Sequence, residues 1–336
     1  MKIGYMPCTQ DPPHGANIAG VLDELSAEAQ ALEEHGFHGF FVPEHHQQDD
    51  GYLSNALMVA GMIGVRTHRI DVGTCASVLP LIHPIHLAED SAIVDQATRG
   101  RLILSVGVGY QAQDFAIFGV NQKERVGRTE EGISILRHAW KGERFSFAGK
   151  HFQLSDVLVA PRAYRQPGPP IWMGSWSAPG IERAARLADG WLSDPLQSLP
   201  VVKAYTAQYR EAATRIGRKP YVVLMRDAVI AESREAALAR SQPIVDAHRQ
   251  YFDFGVHSAD EYLKDVKRAE DLTVELLAKE RVIFGSPQDC LEHLKRIQEE
   301  LAPDYLILRL RFGGQPSHVE TLRMIELLGR EVLPRL

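Results

Sequence analysis

The run Pro43-Glu44-His45-His46 sets a carboxylate beside two imidazoles. Imidazole is the side chain whose ordinary pKa lies nearest neutrality, so such a group can take or give a proton at a reacting atom. A metal ion is disfavoured here. Successive residues of a strand face opposite sides, so Glu44, His45 and His46 do not converge on one ion while the strand persists. The plain alternative is a polar loop that happens to follow a strand. His83 and His86 flank Pro84 and Ile85, where a structural role at a helix start is the simpler reading.

Three further segments offer bare backbone or small polar groups. Gly73-Thr74-Cys75-Ala76-Ser77-Val78-Leu79-Pro80 would let the main chain approach a flat ring, or would merely let a strand bend, with Cys75 a small buried residue. Ser105-Val106-Gly107-Val108-Gly109-Tyr110 lacks the third glycine and helix start of a dinucleotide fingerprint, but it exposes main chain beside Tyr110. Gly174-Ser175-Trp176-Ser177-Ala178-Pro179-Gly180 precedes a helix, where amides and hydroxyls could seat a phosphate. Ordinary capping by Ser177 explains that segment equally well. Arg125 and Arg128 could each donate to a phosphate, although a solvated arginine is the commoner fate of either alone.

The elements that must carry these residues alternate along the whole chain. Apolar runs at Ile3–Met6, Gly39–Val42, Ile70–Thr74, Leu102–Val106, Ile171–Met173, Asp189–Leu192, Tyr221–Leu224 and Tyr305–Leu308 read as strands. Between them, helical spacing predicts helices over Ile18–Leu32, Leu53–Gly64, Pro84–Ala97, Ile181–Leu187, Leu199–Ile216 and, after the last strand, Val319–Val332. A further helix starts near Thr129. Eight strands joined by helices imply parallel pairing through right-handed crossovers, and hence an α/β (β/α)8 TIM barrel. An open doubly wound sheet is the rival. Residues 110–169 and 232–285 exceed a plain β/α unit, placing insertions after the fourth and seventh strands, on the face where barrels hold their sites. Residues 1–336 read as a single domain.

With 336 residues and 45% hydrophobic composition, the chain can bury a large core. Its 43 acidic and 37 basic residues are interspersed, which gives no reason to expect a nucleic-acid or membrane partner. Cys8, Cys75 and Cys290 are too few and too scattered for a disulfide framework or a zinc site. No signal peptide and no membrane-length apolar run are evident, so a cytoplasmic location is expected.

Taken in order, these pieces resemble the bacterial luciferase-like monooxygenase family over almost the whole chain. The stretches are Glu44-His45-His46, Gly73-Thr74 through Leu79-Pro80, His83-Pro84, Ala88-Glu89-Asp90, Asp95-Gln96, Gly100-Arg101, Asp114-Phe115 to Phe118-Gly119, Pro170 to Ser175 and Ala188 to Trp191. The resemblance implies an oxidoreductase that binds reduced FMN, or in one branch a deazaflavin, at the strand C-termini. It implies His45 as the catalytic histidine, with Glu44 beside the flavin. The ring would lie against a cis Cys75–Ala76 peptide, near Gly109 and Tyr110. Arg128 and the Gly174, Ser175, Trp176 and Ser177 loop would hold the phosphate. Luciferase proper has cysteine and arginine where this chain has Gly107 and Val108, which argues against light emission and an aldehyde substrate. Pro43-Glu44-His45, where the deazaflavin branch often has Ser-Asp-His, tilts the expectation to FMN. A two-component monooxygenase follows, fed by a separate flavin reductase and using O2 on a small-molecule substrate, with a homodimer as a further expectation. A deazaflavin hydride-transfer enzyme and a non-catalytic flavin-binding barrel are the alternatives.

Overall fold

A computed structural model describes residues 1–7, 9–252, 263–312 and 315–336, so Cys8 and part of the second insertion lie outside the described residues. The first half runs β1 Lys2–Met6, α1 Ile18–Glu34, β2 Gly39–Val42, α2 Ala56–Gly64, β3 Asp71–Thr74, β4 Ser77–Val78, α3 Pro84–Ala97 and β5 Leu102–Gly107. The first insertion follows with α4 Ala112–Ile117, α5 Arg125–Ala139 and an antiparallel hairpin, β6 Phe145–Ala148 with β7 Gln153–Val157. Then come β8 Ile171–Gly174, α6 Ala178–Leu187, β9 Gly190–Leu192, α7 Leu199–Arg215 and β10 Val222–Ile230. The second insertion holds α8 Arg234–Ala239, α9 Gln242–Gln250, α10 Val274–Leu277 and β11 Val282–Gly285. Helix α11 Pro287–Leu301, β12 Tyr305–Arg309 and α12 His318–Leu327 complete the described elements.

Strands β1, β2, β3, β5, β8, β9, β10 and β12 pair in parallel in that order, and β12 returns to β1 through Lys2↔Tyr305 to Met6↔Arg309. With β9 joined to β10 at Trp191↔Val222, the sheet closes into a (β/α)8 barrel. The period-two alternation of the strands sorts their side chains. Phe40 and Val42, Leu102 and Leu104, and Leu306 and Leu308 face the helices in the outer core. Phe41, Ile103, Trp172, Val223, Met225 and Ile307 fill the interior as a separate cluster. Phe41 lies 5.3 Å from the Trp172 ring and 5.5 Å from Tyr305, and burying each such side chain contributes roughly 1.5–3 kcal/mol. This interior plug leaves chemistry only the mouth of the barrel.

The same parity fixes what stands at that mouth. Following Val223 and Met225 inward on β10 comes Asp227, and following Tyr305 and Ile307 on β12 comes Arg309. The seventh strand is therefore longer than its apolar start predicts. The run expected over Tyr221–Leu224 marks only its first part, and β10 continues through Arg226 and Asp227 to Ile230, nine residues in all and every one buried. Its far half pairs with β11, a strand that the sequence reading left inside the insertion. Helix α5 starts at Arg125 and not near Thr129. Gly127 lies inside its first turn, where His151 packs so closely that a Cβ would lie 2.4 Å from its ring nitrogen. The final helix ends at Leu327 and continues as a π-helical turn to Val332. Among the described residues, no helix is long and apolar enough to cross a membrane.

Candidate active site

The mouth has two unlike halves. At the ends of β5 and β8 and just after β3 stand Gly107, Gly174 and Cys75, all small, and the Cys75–Ala76 peptide is cis. A Cβ built on Gly107 meets nothing nearer than the Ala76 Cβ at 3.9 Å, and one on Gly174 nothing nearer than the Val106 carbonyl at 3.8 Å. Bare backbone therefore borders open space along this crescent. Gly109, with φ +71°, turns the chain after β5 toward Tyr110, which is half exposed. Burial pushes the Cys75 thiol up to about 12, so it stands as a neutral wall and not as a nucleophile.

At the end of β2 the two histidines are treated differently. Glu44 is buried, and its Oε1 accepts the Val78 amide at 2.9 Å and lies 3.5 Å from His46 Nε2. The Glu44 side chain raises the His46 pKa above the ordinary histidine value, against the opposing effect of burial. Glu44 thus ties the end of β2 to the segment after Ala76. His45 instead turns its ring edge-to-face on Tyr52 at 4.8 Å, with Tyr110 6.4 Å away. Burial lowers its pKa, against the opposing pull of Asp114 and Glu44. The Gln111 Nε2 lies 3.3 Å from His45 Nδ1, and with the amide donating, the neutral ring carries its proton on Nε2. Asp114, buried in the first turn of α4, has an Oδ1 without a hydrogen-bond partner, and burial raises its pKa.

The residues expected around a phosphate are not hydrogen-bonded to one another among the described residues. Arg128 Nε donates to the Pro80 carbonyl at 3.0 Å and the guanidinium lies 4.8 Å over Phe152, so the terminal nitrogens make no hydrogen bond among the described residues. The Ser175 main chain is pinned to β9, its amide donating to Leu192 and its carbonyl accepting Trp191 Nε1 at 2.9 Å. Its Oγ is buried without a partner. Ser177 occupies the N-cap of α6 but makes no side-chain cap, which removes the ordinary explanation for it. Trp176 is half exposed, 6.2 Å from Tyr110. Arg125 is turned to the Gln122 carbonyl instead.

Opposite the crescent lies a cavity of about 1040 Å³, bordered by Met6 and Arg309 from β1 and β12, by His45 and Tyr110, and by α9. Of the residues singled out in the sequence, His45 and Tyr110 line it. The structure adds a buried network that sequence reasoning missed. Arg309 donates through Nε and, at 2.7 Å, through Nη2 to the fully buried Asp227, whose Oδ2 also lies 3.0 Å from His248 Nε2 on α9. Burial alone would raise the Asp227 carboxyl. Arg309 and His248 outweigh it and hold the group down at about 2. Tyr251, at the end of α9, shares a hydrogen bond with Tyr110, and burial pushes its hydroxyl up to about 12. The network's trace in the sequence, charged residues inside the apolar runs Val222–Ile230 and Tyr305–Leu310, does not say which of them pair.

Comparison with known proteins matches this architecture. The chain is 27% identical over 335 residues to the F420-dependent glucose-6-phosphate dehydrogenase of Nakamurella multipartita, covering 93% of this chain and 92% of that one. It is 28% identical over 217 residues to the alkanal monooxygenase alpha chain of Photorhabdus laumondii, covering 65% and 60% respectively. The oxygenating constituent of 3,6-diketocamphane monooxygenase from Pseudomonas putida, solved in complex with FMN, superposes over 100% of this chain and 99% of its own with a TM-score of 0.85 at 21% identity. The family model described as luciferase-like monooxygenase matches residues 1–304, and the chain therefore belongs to that family of oxidoreductases.

Proposed function

We propose that the protein is an FMN-dependent monooxygenase of the two-component type, acting on a small organic molecule with O2. The observation that carries this reading is the bare crescent of Ala76, Gly107 and Gly174. It offers a flat ring close main-chain contact, and the Ser175 Oγ and the terminal nitrogens of Arg128 have no hydrogen-bond partner among the described residues. These residues fit a flavin: the ring against the crescent, Gly109 and Tyr110 at its edge, and the phosphate near Arg128 and the Gly174–Ser177 loop. When bound in its reduced form, flavin supplies the electrons with which O2 is activated.

The chain's own side chains do the rest. Neutral His45 exchanges a proton at its Nε2 with the reacting oxygen or substrate, and Gln111 keeps its tautomer fixed. Glu44 and Cys75 shape the floor without reacting. Helix α9, docked through His248 and Tyr251, forms one wall of the cavity. The similarity to an F420-dependent relative over nearly the full chain supports deazaflavin as the alternative cofactor. The absorbance spectrum of cofactor released from purified protein separates the two.

The phosphate assignment gives a second expected result. Arg128→Ala should weaken FMN binding by about tenfold or more, the scale of one charged hydrogen bond, and leave riboflavin binding nearly unchanged. Equal losses for both would sink the assignment. A third concerns the source of electrons. No strand–turn–helix segment carries a dinucleotide fingerprint, so reduced flavin should arrive from a separate reductase. Mixing protein, FMN and NADH in air should leave NADH absorbance unchanged until a flavin reductase is added. Rapid oxidation without it would overturn the two-component reading.

A further inference from the structure

The cavity's charges are already spoken for among the described residues. Arg309 is bidentate on Asp227, and Arg311 pairs with Glu24 at 2.7 Å and Glu28 at 3.1 Å. Both lining carboxylates are engaged too. Asp246 accepts Arg249 at 3.1 Å and Gln242 Nε2 at 2.8 Å, while Asp50 accepts Gln10 Nε2 at 3.0 Å and the Tyr52 amide at 3.2 Å. An entering phosphate, sulfonate or sulfate would meet no cation without a carboxylate, and would lie near Asp50 and Asp246. An anion desolvated without a counter-charge is held only at a cost of several kcal/mol.

Much of the remaining wall is carboxamide, from Gln48, Gln111, Gln113, Gln242, Gln250 and Gln315. Each can donate and accept: Gln48, Gln111, Gln113 and Gln242 give one N–H to a protein partner and keep the second for a ligand. An aliphatic chain would strip water from these groups and return no hydrogen bond, at roughly 1–3 kcal/mol for each one left unsatisfied. Flat faces are present beside the amides, from Tyr52, Tyr110, Tyr251 and Phe312. One donor stands ready. With Nε and Nη2 given to Asp227, Arg309 keeps Nη1 without a hydrogen bond among the described residues, its plane held over the Phe312 ring at 5.2 Å.

We infer that the cavity selects an uncharged, multiply oxygenated molecule with a flat ring, its carbonyl and hydroxyl oxygens held by the carboxamides and by Arg309 Nη1. Asp227 is then a positioning residue, because it fixes the guanidinium plane and balances its charge. The inference rests on the proposed function only in taking this molecule as the substrate.

The test is calorimetric titration of the full chain near pH 6.5, with and without added FMN, using three probes. They are the neutral dihydroxyisoflavone daidzein, its 7-sulfate, and n-decanal. Daidzein should bind at least about tenfold more tightly than either other probe. Gln242→Leu with Gln250→Leu should weaken it by about tenfold, as expected for two lost hydrogen bonds, and leave FMN affinity unchanged. Sulfate or decanal binding as tightly as daidzein, or no daidzein binding, would overturn the inference. Failure of FMN to bind would sink the cofactor reading alone, since the probe ranking is measured without it as well.

Discussion

Replacing His45 with alanine should slow turnover by about 10²–10⁴-fold, the usual contribution of a positioned acid or base, while flavin affinity changes little. The ring is packed on Tyr52 and Gln111 at the edge of the cavity, not along the bare crescent. Its loss should remove proton transfer and leave the seat of the cofactor whole. The pH profile adds a signature that a merely structural role would not give. Burial lowers the His45 pKa below 6.5, so the ring stays neutral where a free histidine is half protonated. With neutral His45 required, kcat/KM should hold as pH falls through 6.5 and decline only below it. Were His46 the titrating group, its raised pKa would put that limb above 6.5. An acid limb above 6.5, or normal turnover by His45→Ala alongside collapsed FMN binding, would reassign the role.

Asp227→Ala should destabilise the fold by roughly 3–5 kcal/mol, the scale of a buried ion pair broken from one side. The change takes from Arg309 the acceptor of two hydrogen bonds and from His248 the partner that docks α9 on β10. Denaturant unfolding should show it as a lower midpoint, and Asp227→Asn should lose less because one acceptor survives. The pH dependence has a fixed sign. The folded carboxyl sits at about 2 against an ordinary 3.8, so its contribution is complete above 3.8 and drains away as pH falls through about 2. An unchanged midpoint in Asp227→Ala would show that the network contributes nothing.

What was legible in the sequence follows from periodicity. Alternation of short apolar runs with helical spacing located every strand of the barrel, and Pro84 after His83 marked the start of α3, where the His83 ring accepts the Ile85 amide. The cis Cys75–Ala76 peptide came from the family's motif, since nothing in the composition of those residues demands it. The Asp227–Arg309–His248 network was not legible, because its members lie far apart in the chain and a charged residue in an apolar run reads as a strand's end. Their partnership exists only through the register that sets Asp227 opposite Arg309. The cavity was hidden for the same reason: its carboxamides come from separate loops and from α4 and α9, and a lone glutamine carries no spacing signal.

The pairing of Lys2 with Tyr305 imposes an order of events on the ribosome. The first strand leaves the exit tunnel with one flank available to β2, but its other flank has no partner until Tyr305 to Arg309 have been made. Strand β10 waits for the same neighbour, since β12 lies between it and β1. Until then the nascent barrel is an open sheet with two unsatisfied edges, each able to capture another chain. Interruption before Tyr305 leaves that sheet open permanently, so an incomplete product is a candidate for aggregation and proteolysis and not a smaller version of the enzyme.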